Sequence, residues 1–153
     1  DVCLDHRAYD DAKSLRTALK EAAPDGIDIY YENVGGKVLD AVLPLMNPHG
    51  RIPLCGMIAW YNAGGLGADA EGAGLTAPRL WRTILVNFLT VRGFIISNHW
   101  DQMPKFQREV APMVADGRVK VKEDITEGLE NAPQAFIDML NGGNTGKAIV
   151  KVK

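Results

Sequence analysis

Residues 27–56, IDIYYENVGGKVLDAVLPLMNPHGRIPLCG, switch from extended to helical patterning and back with short connections. A β-favouring run with Ile27, Ile29, Tyr30 and Tyr31 starts just after Gly26. Asn33-Val34-Gly35-Gly36 stops it, and an apolar-periodic segment begins at Val38. Asn47-Pro48-His49-Gly50 reads as the turn that ends this helix. Arg51 to Cys55 is a second apolar run, closed by Gly56. Strand, helix and strand so joined form the parallel crossover unit, which packs only with helices covering the sheet. Ligands of open parallel sheets bind at the carboxyl ends of the strands. Those ends are Glu32 to Gly36 and Cys55 to Ile58, so a functional site is expected on these two loops.

Composition limits what else the chain can be. Its 153 residues suffice for an ordinary core, and 46% hydrophobic with 24% charged residues is a soluble globular profile. A net charge of −2 gives no electrostatic footprint for nucleic acid. No apolar run is long enough to span a membrane. The two cysteines, Cys3 and Cys55, build neither a disulfide framework nor a four-cysteine zinc site. Their contexts read as buried thiols of a reducing, cytoplasmic compartment. No signal peptide opens the chain, the first residue is not Met, and Val2 to Leu4 reads as a strand remnant. A segment of a longer protein is therefore expected.

The flanking chain continues the α/β pattern. Ala12, Leu15, Leu19 and Ala22 recur at helical spacing over residues 10–22, and Pro24-Asp25-Gly26 turns. A glycine-rich passage from Ala59 to Ala77 reads as a loop, either a substrate lid or unstructured. Helix is expected from Pro78 to Phe88, with Leu80, Ile84 and Phe88 on one face, then strand from Thr90 to Ile96. Phe106, Val110 and Met113 mark another helix that Pro112 could kink or shorten, ended by Asp116-Gly117. Val119 to Ile125 alternates as a half-exposed strand. Asn131 is placed to cap a helix with an inner face of Ala132, Phe136, Met139 and Leu140. Lys147 to Lys153 closes as a strand.

Four spaced motifs resemble one family. YYENVGG, GRIPLCGMIAWYN, VRGFIIS and ITEGLENAPQAFIDMLNGGNTGKAIVKV are similar to the zinc-independent branch of the medium-chain dehydrogenases/reductases. The likeness is to its NADPH-dependent alkenal and prostaglandin reductases and bacterial curcumin reductases. It implies an α/β fold in two parts. Residues 1–116 would be the C-terminal part of a Rossmann domain, a parallel sheet with helices on its faces. Residues 117–153 would be the returning segment of a GroES-like substrate domain. The phosphate-binding glycine loop would lie upstream, and this segment alone would be inactive. The implied activity is hydride transfer from NADPH to the activated C=C bond of enals or enones, without a metal site. A homodimer formed through the sheet edge near Val91 to Ile96 is also implied.

The resemblance assigns residues as well. Asn33 matches an asparagine near the nicotinamide ribose, and Cys55, Gly56, Met57, Ile58 and Tyr61 lie on a loop that passes beside the cofactor. Phe94, Ile95 and Ile96 match a strand whose backbone faces the nicotinamide amide, and Asn144 matches an asparagine that reaches back to the cofactor. His6 replaces a tyrosine near the adenosine 2′-phosphate, which leaves NADPH over NADH open in this half. The types suit the chemistry. An amide side chain donates and accepts together, and Gly35, Gly36 and Gly56 allow close approach or positive φ. The enolate formed in such a reduction needs a proton or hydrogen-bond donor, for which Tyr61 is the candidate.

Taken singly, each feature has a plainer reading. Cys55 would be a buried small residue, Asn33 a helix cap, Gly35-Gly36 a strand-to-helix turn and Asn144 a turn residue. His6, His49 and His99 lack metal-ligand spacing. Two other classes stay open on sequence: a dinucleotide-fold module kept for association without turnover, and half of a zinc alcohol dehydrogenase.

Overall fold

The computed structural model describes residues 2–60 and 77–153. Its contacts divide into two units, Asp1–Asn98 and His99–Lys153.

In the first unit, helix α1 (Ala12–Ala22) is started by Asp11, whose carboxylate accepts from Ser14 N while Ser14 Oγ accepts from Asp11 N. This reciprocal cap satisfies two donors that a helix start leaves orphaned. Strand β1 (Ile27–Ile29) leads to helix α2 (Gly36–Val42) and strand β2 (Met46–Leu54). After α3 (Ala77–Val86) comes β3 (Thr90–Gly93). The strands form one parallel sheet in the order β1-β2-β3, so the expected crossover unit is present. Val42, Leu43, Met46, Ile52 and Leu89 make the buried core, packed by Leu19, Ile27, Tyr30, Val38, Leu39, Leu80 and Ile84.

Several expectations need correction here. Val2 to Leu4 pairs with no strand of the sheet. Asn47-Pro48-His49-Gly50 is no turn: β2 begins at Met46 and takes up these residues as a bulge, with the register slipping between Ile27↔Met46 and Ile29↔Arg51. The Asn47 amide donates to Asp25 O (3.0 Å) and Asp28 Oδ1 (2.9 Å), which ties the bulge to β1. His49 takes the left-handed backbone (φ 64) and its ring stacks on Phe88 (centroids 5.3 Å). Phe88 itself is exposed beyond the end of α3, so only Leu80 and Ile84 of the expected face reach the core. Cys3 and Cys55 are both exposed, not buried. Cys55 lies just past the end of β2, where the sheet no longer covers it.

In the second unit, α4 (Met103–Ala115) runs through Pro112 and is closed by Gly117 (φ 79). Val119 N donates to Met113 O (2.8 Å) in that closure. Because Val119 serves the helix end, the strand expected from Val119 starts later: β4 is Glu123–Glu127. Helix α5 (Ala132–Leu140) then leads to β5 (Lys147–Lys151), parallel to β4. Asn131 occupies the N-cap position without capping; its amide donates to Glu127 O (2.8 Å) instead. Phe136, Met139 and Leu140 are exposed rather than forming an inner face, because no other element covers this side of α5 within the unit.

Gly146, just before β5, packs closely on Lys122, just before β4. A Cβ there would stand 2.5 Å from Lys122 O, a backbone atom that cannot swing aside. Gly146→Ala is expected to destabilise the protein by about 1–3 kcal/mol, read as a lower urea midpoint at unchanged m-value.

Candidate cofactor site

Parallel pairing sets the carboxyl ends of β1 and β2 side by side, and the two loops that follow are joined by backbone hydrogen bonds. Glu32 N donates to Pro53 O (2.9 Å), and Glu32 O accepts from Cys55 N (2.9 Å) and Gly56 N (3.1 Å). Asn33 O accepts from Ile58 N (3.1 Å), and Val34 O accepts from Ala59 N (2.9 Å). Asn33, Cys55, Gly56 and Ile58 are thus brought together through main-chain contacts, with Met57 between them. The Asn33 side chain is exposed and is not spent on capping, since Gly35 holds the N-cap position of α2.

Gly35 (φ 75, ψ −159) and Gly36 (φ 52) both adopt backbone that disfavours a side chain, as the chain turns from strand into helix. Gly56 does not. A Cβ on it would stand 3.5 Å from Asn33 O, an ordinary contact, so the fold alone does not require glycine there.

Sequence reasoning missed Glu32 as a site residue. It is 2% exposed, and its Oε1 accepts from Val34 N (2.6 Å) and Gly35 N (2.8 Å). Its Oε2 and the Tyr30 hydroxyl are both buried without a hydrogen-bond partner among the described residues. Burial first, then the Glu32 carboxylate beside it, push the Tyr30 phenol above the usual tyrosine range. The available signal was an acidic residue two and three positions before a turn's backbone N–H groups, the pattern of a local side-chain acceptor.

Phe94 N donates to Leu54 O (3.1 Å), and its ring meets Tyr31 edge-on with centroids 6.1 Å apart. The Cys55 side chain beside Tyr31 raises that phenol's pKa. Strand β3 ends at Gly93, so Phe94, Ile95 and Ile96 follow the strand rather than belonging to it, and Ile95 and Ile96 are exposed. Tyr61 lies outside the described residues.

Asn144 belongs to the second unit. Its Nδ2 donates to Gly146 O (2.7 Å), which fixes the amide's orientation. Asp124 Oδ2 accepts from Thr145 N and Gly146 N, both at 2.6 Å. These bonds, Gly146's first, hold the Asp124 carboxyl below its ordinary value. A lowered folded pKa stabilises above the unfolded value and is lost as pH falls through the folded one. Asp124→Asn should therefore lose less stability than the wild type on acidification from about pH 5 to pH 2, in urea titrations across that range.

A sequence profile of the family described as zinc-binding dehydrogenase matches residues 1–150. The chain belongs to that family. Among relatives of this zinc-binding dehydrogenase segment, the NADPH-dependent curcumin reductase of Escherichia coli (strain K12) is 47% identical over 153 residues. That alignment covers 99% of this chain and 42% of the reductase. The NADP(+)-dependent 2-alkenal reductase of Nicotiana tabacum is 40% identical over 144 residues, 94% of this chain and 39% of that one. The crystal structure of CurA from Vibrio vulnificus in complex with NADPH matches with a TM-score of 0.84 at 40% identity. It is covered over 100% of this chain and 43% of its own. The chain therefore spans about two-fifths of the length of the relatives it matches (42% and 39%). These matches agree with the resemblance carried by the YYENVGG and GNTGK motifs and with a Rossmann-like α/β architecture. Among the described residues of this family member, no three His, Cys, Asp or Glu side chains group to hold a metal, and no helix is long and apolar enough to cross a membrane.

Proposed function

We propose that the protein carrying this segment is an NADPH-dependent reductase of the activated C=C bond in α,β-unsaturated carbonyl compounds. The observation that carries the reading is the pair of joined loops at the carboxyl ends of β1 and β2, in a chain 40% identical to an NADPH-bound structure. The residues fit such a cofactor. Asn33 presents an exposed amide from an ordered main chain, able to meet ribose hydroxyls or a carboxamide. Cys55, Gly56 and Ile58 spend their N–H groups on joining the two loops and Phe94 spends its own on Leu54. Cys55 to Ile58 are therefore assigned to the cofactor through their remaining groups, as are Phe94, Ile95 and Ile96 at the nicotinamide amide. Asn144 is the contribution of the returning segment, residues 117–153, while residues 1–116 complete the dinucleotide-binding domain. When bound, NADPH supplies the hydride.

The chain's own part is to orient and to manage charge. Amide and main-chain donors hold a neutral ring face without a competing charge. Negative charge develops on the substrate's carbonyl oxygen, and Tyr61 is assigned the donor that meets it, with no metal involved. The GroES-like part needed to enclose substrate is assigned to the region upstream of this segment. Gly56→Ala separates cofactor approach from folding: it should leave the melting temperature within ~2 °C of wild type and weaken NADPH binding. Unchanged binding would remove Gly56 from the crevice.

We assign the enzyme to the cytoplasm as a homodimer joined at the sheet edge near Val91 to Ile96. The exposure of Val91, Ile95 and Ile96 beside edge strand β3 supports that surface. The function is tested by NADPH oxidation in the full-length protein against enals, enones and saturated aldehydes, with metal analysis of the same sample. Turnover of the enals and enones without zinc is expected. Reduction of the saturated aldehydes alone would defeat the reading.

A further inference from the structure

We propose that Glu32 is a positioning residue for the cofactor crevice, setting the backbone from which Asn33 is presented. The inference rests on the cofactor reading above. Glu32 acts at two points at once. Its side-chain Oε1 gathers the N–H groups of Val34 and Gly35, so the chain after Asn33 is drawn back under its own strand end. Its main-chain carbonyl accepts from Cys55 and Gly56, which fixes the neighbouring loop to the same residue. Asn33 sits between these two anchors with its side chain exposed.

Simple stability does not account for the choice of residue. A carboxyl 2% exposed is costly to desolvate, and its second oxygen finds no partner among the described residues. A serine or threonine could hold the turn with one hydroxyl and no buried carboxyl group. Glutamate instead leaves Oε2 buried, with the Tyr30 phenol near enough for the carboxyl group to raise its pKa. A local rule broken this way, next to an exposed polar side chain, is of the kind found at functional or strained sites. The side chain needs only to accept, so the acceptor and not the charge should carry the effect.

Two variants of the full-length protein separate these. Glu32→Gln keeps the accepting oxygen, whereas Glu32→Met keeps the volume and removes it. Titration with NADPH, followed by its fluorescence, is read well below each variant's melting temperature. Glu32→Gln should bind within about threefold of wild type, and Glu32→Met should bind about tenfold or more weakly, from the loss of the accepting oxygen. Equal binding by Glu32→Met and wild type overturns the role of Glu32 while leaving the cofactor reading intact. Weak binding by Glu32→Gln equal to that of Glu32→Met overturns it as well. A wild type that binds no NADPH overturns both together. If Glu32→Met does not fold, amide exchange decides: Val34 and Gly35 should be protected in cofactor-free wild type and in Glu32→Gln. Exchange of both amides at unprotected rates in the free wild type overturns the proposal.

Discussion

Replacing Leu43 with alanine should lower the stability of the protein by about 2–5 kcal/mol, the largest loss expected among the apolar side chains of the described residues. Leu43 is 1% exposed and sits with Val42, Met46, Ile52 and Leu89 at the centre of the first unit's core. It lies in the tight turn between α2 and β2, with Pro44 next to it. Backbone that cannot relax leaves the cavity open, so the cost falls toward the upper part of that range. Against a typical total of about 5–15 kcal/mol, such a change removes a large share of the folding free energy. Urea unfolding of the wild type and Leu43→Ala measures it, with Glu21→Ala on the exposed face of α1 as a reference expected within about 0.5 kcal/mol of wild type. A Leu43→Ala loss as small as the reference would mean that the core is not centred where the structure puts it.

Gly35→Ala is the second change with a large expected effect, and it acts on function as well as stability. The backbone at Gly35 (φ 75, ψ −159) lies in a region essentially reserved for glycine. A Cβ strains it by about 1–3 kcal/mol. Gly35 N also gives its proton to Glu32 Oε1 at 2.8 Å, so relief of the strain breaks the bond that shapes the Asn33 loop. NADPH binding should weaken by about tenfold or more, together with a drop in melting temperature of about 2–12 °C. Fluorescence titration and thermal unfolding of the same sample measure both. A lower melting temperature with unchanged NADPH affinity would separate the turn from the cofactor.

Much of this was readable from residue pattern, and the exceptions have local causes. The crossover from β1 through α2 to β2 was legible because Gly35-Gly36 punctuates a strand and a periodic helix. The start of β2 was not, since Asn-Pro-His-Gly has strong turn chemistry, and it is tertiary bonds, those of Asn47 to Asp25 and Asp28 and of His49 N to Asn87 O, that hold it in the sheet. The alternation from Val119 was equally persuasive, yet its first N–H is consumed closing α4. Apolar periodicity in α5 and the end of α3 correctly marked helices, but it could not say whether a partner element covers Phe136 or Phe88. In the site, glycines and an asparagine are visible as types. The Glu32 contribution is a local acceptor pattern, two and three residues before the N–H groups it takes, but the burial of its carboxyl beside the Tyr30 hydroxyl depends on the folded chain.

The central claim is the destination of the hydride. The full-length protein, given NADPH carrying deuterium at the transferable C4 position and an enone, should place deuterium on the substrate's β-carbon, leaving a saturated ketone. Deuterium found on the carbonyl carbon, with the C=C bond intact in an allylic alcohol, would contradict the account.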